Sequence, residues 1–185
     1  MLDAARSLLL SGGSRHATIE AIASATGAPT GSIYHQFGSR DELIAKLWMR
    51  AIYRSQASFI AALEHEDPHT AALNAAMSVV TFCEQYPDDA RLVVSFRRED
   101  LIQATPDGKI VEELEELNRP IERAVANLAE RIYGQRTRET INRTLLAVFD
   151  IPYGAVRRHL IAGEELPPGL HRDLPKAITA VLDSP

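Results

Sequence analysis

Between Thr18 and Leu47 the chain reads TIEAIASATGAPTGSIYHQFGSRDELIAKL, and the spacing of its small and branched residues leaves few folds open. Thr18 offers a hydroxyl to the free amides of a first helical turn. Ile19, Ile22 and Ala23 fall on one face of the helix that follows, with Ala23 where a second helix crosses closest. Gly27, four residues on, ends that helix in the left-handed conformation glycine adopts at little cost. Ile33, six residues further, plugs the angle to the next helix. Alanine, glycine and a branched apolar residue at this spacing are the packing requirements of a helix-turn-helix that reads DNA. The first helix is expected over Thr18–Thr26 and the second over Pro29–Gln36, with Pro29 at the first helical position, which needs no amide.

The flanks extend the pattern. Leu2–Leu10 reads as an amphipathic helix ended by Ser11, Gly12 and Gly13. Ser39 to Glu42 reads as a capping box, with Ser39 as cap and Glu42 reaching back. The helix it starts carries Ile44, Leu47, Trp48, Ala51, Ser55, Phe59 and Ala62 on one stripe and runs to about Glu64, roughly 37 Å at the usual helical rise. Phe37 is assigned to the core with Trp48.

At GAPTGSIYHQFGSRDEL the sequence resembles the TetR family of bacterial transcriptional regulators, through Gly27, Thr30, Gly31, Ser32, Ile33, Tyr34, Phe37, Arg40, Asp41 and Leu43. The resemblance implies an operator-binding homodimer, in most members a repressor, whose body encloses a pocket for a small-molecule effector. The polar face of the second helix, Thr30, Ser32 and His35, is expected in the major groove, with Gly31 allowing close approach. Tyr34 has two readings, a phosphate contact or a core aromatic, and the resemblance favours the first. Arg40 and Lys46 are expected at phosphates, and Thr18 completes the DNA-contacting set. A basic arm normally precedes the first helix in that family; here Met1 stands almost inside it.

Charge is distributed unevenly. The net charge is −5, yet residues 1–63 hold six Arg and Lys against four Asp and Glu, a net +2, which leaves −7 for the remainder. That suits a small DNA-facing head on an acidic body. Alternating strand patterns are absent, so the expected fold is all-α: a three-helix helix-turn-helix head over residues 1–47, joined by the long helix to a helical-bundle body over 48–185. The lone Cys83 lies in an apolar run and is expected to be a small buried hydrophobe. No stretch reaches the ~20 apolar residues of a membrane span, and a cytoplasmic location is expected.

In the body, helices are expected over Pro68–Tyr86, Asp88–Gln103, from a Thr105 cap and Pro106 to Tyr133 with a break at Pro120, over Thr137–Ala162 with a kink at Pro152, and over Pro175–Asp183. Phe59, Met77, Phe82, Phe96, Leu117 and Tyr153 are either plain core or walls of the pocket that the resemblance implies. A helix apolar on two sides must be covered on two sides, either wholly inside one chain or partly by a second copy. The helix-turn-helix head, which in two-fold proteins reads paired half-sites, favours the second, with Leu145, Phe149, Val156 and Leu160, assisted by Ile178 and Val181, expected to meet a second copy. Glu66 and His69 have the spacing of one half of a carboxylate-bridged metal site, but such sites need two halves, and Asp67 with Pro68 makes a plain helix start. No metal, cofactor or enzymatic activity is expected, since the histidines are scattered and no phosphate loop is present. A helical interaction module whose helix-turn-helix only packs is the alternative.

Overall fold

All regular structure in the computed structural model, which describes residues 1–184, is helical. The helices are α1 Leu2–Gly12, α2 Ile19–Thr26, α3 Thr30–Phe37, α4 Arg40–Leu63, α5 Pro68–Gln85, α6 Pro87–Ser95, α7 Arg98–Ala104, α8 Gly108–Glu116, α9 Arg119–Tyr133, α10 Arg138–Leu145, α11 Ile151–Ala162 and α12 Leu170–Leu182. A 3-10 turn, Ser14–His16, follows α1, and a π turn, Leu146–Asp150, joins α10 to α11. Among the described residues no helix is long and apolar enough to cross a membrane.

These elements gather into two units. The first holds Met1–Ile52 and Asp88–Leu117; the second holds Tyr53–Pro87 and the chain from Asn118 onward. The boundary between these units falls inside α4. Helices α6 to α8 belong with the head because their apolar residues Leu92, Leu101, Ile110 and Leu114 share one core with Leu43, Leu47 and Trp48 of α4. Trp48 Nε1 donates to Val93 O at 3.2 Å, so the ring is fixed at its polar edge as well. Polar contacts reinforce the arrangement: Arg6 of α1 donates to Asp89, a carboxylate that is 0% exposed, and Arg50 of α4 donates to Asp3 at 2.7 Å.

The second unit is organised around α5. Ala71, Ala72, Ala75 and Ala76 are all buried, and side chains this small let α9, α11, α12 and the π turn approach the α5 backbone. Asp67 caps α5, its Oδ2 accepting from Thr70 N–H at 2.7 Å, and Pro68 is the first helical residue. Arg131 of α9 holds the linker before it, donating to Leu63 O at 2.8 Å, to Glu66 O at 2.8 Å and to His65 O. These contacts satisfy carbonyls that the end of α4 would leave open. His69 instead faces Asp183 at 3.5 Å.

Several expected helices divide. The segment over 88–103 breaks at Phe96 and Arg97, where Arg97 is extended and Phe96 packs on the first unit's core. Asp107, not Thr105, caps α8, with its Oδ1 accepting from Lys109 N–H at 2.8 Å. Pro120 sits in the first turn of a new helix, α9, where it costs no hydrogen bond. Gly169 O already receives the amides of Arg172 and Asp173, so α12 starts a turn earlier than expected and carries Pro175 inside it.

The stretch from α10 to α11 is continuous, and the π turn is how it accommodates Pro152. Proline has no amide and crowds the carbonyl four residues back. Ile151 N–H instead reaches Leu146 O, five residues back, and the widened turn gives the ring room. The insertion moves the buried stripe by one residue. Upstream of it Thr140 and Thr144 face inward rather than Ile141 and Leu145. Both hydroxyls are satisfied locally, Thr140 on Gln135 O at 3.1 Å and Thr144 on Thr140 O at 2.8 Å.

Candidate nucleic-acid interface

Local chemistry builds the helix-turn-helix as the spacing requires. Thr18 Oγ1 accepts from Ala21 N–H at 3.1 Å and caps α2. Gly27 has φ 67 and ψ 10, a left-handed residue that ends the helix. Pro29 stands just outside α3 rather than within it, its carbonyl accepting from Ser32 at 3.0 Å. Ile22 and Ile33 are fully buried and Phe37 nearly so, and Ala23 packs against the same core. Ser39 Oγ accepts from Glu42 N–H at 3.1 Å and starts α4.

With Ile33 and Phe37 turned inward, the rest of α3 is open. Thr30, Gly31, Ser32, Tyr34, His35 and Gln36 are all exposed, Tyr34 at 51%. None of the described residues occupies the space a side chain at Gly31 would fill, so an outside group has access to its backbone. Gly31, Ser32, His35 and Gln36 line an open hollow beside Met1. The sequence reading missed Gln36, although it lies one turn beyond Ser32 on the same face.

Three of the expected DNA-contacting residues also make contacts within the chain. Thr18 is the cap of α2. Arg40 Nε donates to Ala17 O at 2.7 Å, its Nη2 to Ser14 Oγ at 2.8 Å and to Ser14 O, and its Nη1 to Asp41 at 3.0 Å. Lys46 is half-buried, its ammonium 5.8 Å from the centre of the Phe37 ring. Arg15 of the 3-10 turn is exposed and makes no ion pair among the described residues, a cation the sequence reading passed over.

The expected body sites also rearrange. Phe96 and Leu117 pack in the first unit, whereas Phe59, Met77, Phe82 and Tyr153 lie in the second. There Phe149 meets Phe59 edge-on at 6.4 Å and stacks on Tyr153 at 5.4 Å. Of the expected dimer contacts, Val156 and Ile178 are 0% exposed and Leu160 is also buried, so all three pack into the core of their own subunit. The π turn sets the phase of the stripe that Val156 and Leu160 share, and Ile178 packs from α12. The exposed apolar residues of α10 to α11 are Leu146 at 43%, Phe149 at 38% and Ile161 at 58%. Cys83 is buried in α5, and burial, with Glu84 adjacent, pushes its thiol up to about 12. It packs as a small buried hydrophobe.

Residues 1–47 match the family described as bacterial regulatory proteins, tetR family. No curated protein matches the chain in sequence. Among solved structures it is similar to the TetR family transcriptional regulator PfmR from Thermus thermophilus, at 16% identity and TM-score 0.73, covering 98% of this chain and 96% of that one. It is also similar to the fatty acid degradation regulator FadR from Bacillus halodurans, at 14% identity and TM-score 0.72, covering 100% and 97%. A third is the ketosteroid transcriptional regulator of Mycobacterium tuberculosis, at 17% identity and TM-score 0.67, covering 98% and 90%. These likenesses establish the fold along the whole chain.

Proposed function

The first 47 residues are those of the TetR family of bacterial regulatory proteins, and from that premise we propose that the protein is a cytoplasmic transcriptional repressor that binds a palindromic operator as a homodimer and leaves it when a small molecule binds the body. The observation that carries this reading is α3, which buries only Ile33 and Phe37 and opens its remaining face to solvent. Ser32, His35 and Gln36 supply base-edge donors and acceptors, glutamine being suited to adenine. Tyr34 and Arg15 anchor the backbone, and Thr30 at the start of the helix adds a hydroxyl for a phosphate.

Dimerisation uses the exposed face of α10 to α11, to which Leu146, Phe149 and Ile161 contribute the large apolar side chains. A two-fold protein reads two half-sites a helical turn, or a multiple of it, apart. The effector is apolar and is held in the second unit by Phe59, Met77, Phe82 and Tyr153. It acts through its preference for the arrangement that does not bind DNA. Taking the population from about 1:99 to about 99:1 requires roughly 5.5 kcal/mol of differential affinity.

The test is selection of random duplex DNA by the purified protein at physiological salt, followed by titration of the winner and a scrambled control. A palindromic winner bound at least ~10³ tighter than the control is expected. Equal binding of both, or none, overturns the reading in favour of a head that only packs.

A further inference from the structure

The exposed face of α11 carries a glycine that its own subunit does not require. Gly154 lies in the helix interior, is exposed, and has nothing within 4 Å of the position a Cβ would take. An interior helical glycine is disfavoured against alanine, and neither a turn nor a neighbour among the described residues calls for one here. A glycine in that position lets another backbone approach closely.

The residues around it are ordered about that point. Asp150 precedes Gly154 by one turn and Arg157 follows by about one turn on the same face. Both are exposed, and neither has an ion-pair partner among the described residues. Leu146 and Ile161, the outermost of the exposed apolar residues, lie a further turn away on either side. Tyr153, half-buried and stacked on Phe149, adjoins the glycine.

We propose that two copies of the chain cross α11 on α11 in antiparallel register about a two-fold axis between Tyr153 and Gly154. That register places Asp150 opposite the partner's Arg157, Leu146 opposite the partner's Ile161 and Tyr153 over the partner's Gly154. Each pair then occurs twice, as an isologous contact demands. Phe149 falls opposite the partner's Arg158, which suits a cation over an aromatic face. The charges fix the register. A slip of one turn sets Asp150 against Gly154 and leaves both arginines over apolar side chains. The stripe is thus complementary to itself, and the occupant it fits is a second copy.

The inference rests on the homodimer of the proposed function, and its test is independent of DNA. Sedimentation equilibrium of the full chain is compared for wild type, Asp150→Arg, Arg157→Asp and the double reversal. Each single reversal puts like charges face to face twice and is expected to raise the dimer dissociation constant at least ~10-fold. The double reversal restores both pairs and returns the constant to within ~3-fold of wild type. Gly154→Leu, with its helical circular dichroism and melting point retained, is expected to sediment as a monomer. A monomeric wild type at micromolar concentration overturns the proposal, and so do single reversals that dimerise like wild type or a double reversal that stays dissociated. Operator titration of the same samples separates the two readings. Dimers that obey the charge pattern and bind no DNA refute the regulator alone, whereas operator-bound dimers indifferent to it refute this register alone.

Discussion

Arg40 Nε lies 2.7 Å from the main-chain oxygen of Ala17, so the first residue of α4 closes the loop that enters α2. The same guanidinium reaches Ser14. The helix-turn-helix is therefore bracketed on both sides by a residue that sequence reasoning would send to a phosphate. Arg40→Ala is expected to lower stability by about 2 kcal/mol in urea unfolding, since hydrogen bonds from a charged group exceed neutral ones. It weakens operator binding without changing the slope of log affinity against log salt. Arg15→Ala does the opposite: stability stays within about 0.5 kcal/mol and the slope falls by ~0.9, the signature of one lost phosphate contact.

Asp89 is enclosed in the first unit and accepts from Arg6, which belongs to the first helix of the chain. Arg6→Ala takes a charged hydrogen bond away from a fully buried carboxylate, and a loss of about 2–3 kcal/mol is expected. Arg6→Lys keeps the charge but not the fork, so part of that loss remains. Chemical denaturation of the three proteins ranks them wild type, Lys, Ala. A carboxylate that tolerated Arg6→Ala within about 0.5 kcal/mol would show that the pair adds nothing.

The head was legible because its signals are local. A cap at Thr18, a left-handed Gly27 and an apolar plug at Ile33 fix helix ends within a few residues of themselves, and each appears where the spacing demands. Long-range choices were not. Leu92, Leu101 and Ile110 are apolar in a way that suits any core, and nothing within α6 to α8 specifies that they join Trp48. The π turn hid the rest. A wheel drawn with one period from Thr137 to Ala162 places Val156 and Leu160 on an outer face with Leu145, and a five-residue turn before Pro152 breaks that phase. Arg40 shows a third kind of gap. A cation at a helix start is compatible with a phosphate or a carbonyl, and the choice depends on where Ser14 and Ala17 lie in space.

Gly38 joins α3 to α4 with φ 80, and the Glu42 carboxylate occupies the space a Cβ would take. Gly38→Ala suffers both the positive φ and the displacement of that carboxylate. A destabilisation of about 2 kcal/mol is expected by thermal and urea melts. Gly31→Ala is the contrast, because its φ is helical and the space is open. It stabilises the free protein by about 0.5–1 kcal/mol while weakening operator binding, where the added methyl meets the groove.

Tyr34 is exposed in the middle of α3, between the buried Ile33 and the polar His35. Removing its ring has little to disturb in the core, so Tyr34→Ala is expected to change stability by less than about 0.5 kcal/mol. Its loss should appear in binding instead. A fall in operator affinity of ~10-fold or more, with Tyr34→Phe losing nearly as much, identifies the hydroxyl as the contact. Retained affinity in Tyr34→Phe together with loss in Tyr34→Ala assigns the role to the ring.

Cys83 gives the protein a predictable weakness to alkali. Burial in α5 raises its thiol from 9.0 to about 12. A raised folded value means the folded state holds the proton after the unfolded state has released it. The stability from keeping this thiol neutral is complete below pH 9 and is lost progressively as pH rises toward 12. Between pH 8 and 10 the wild type is expected to lose roughly 1 kcal/mol more than Cys83→Ala. The variant is less stable at pH 7, because a buried group has been cut back, so the two unfolding curves converge as pH rises. Parallel curves would mean that the thiol ionises in the native state, and a thiol-reactive dye that labels folded protein at pH 8 would report the same.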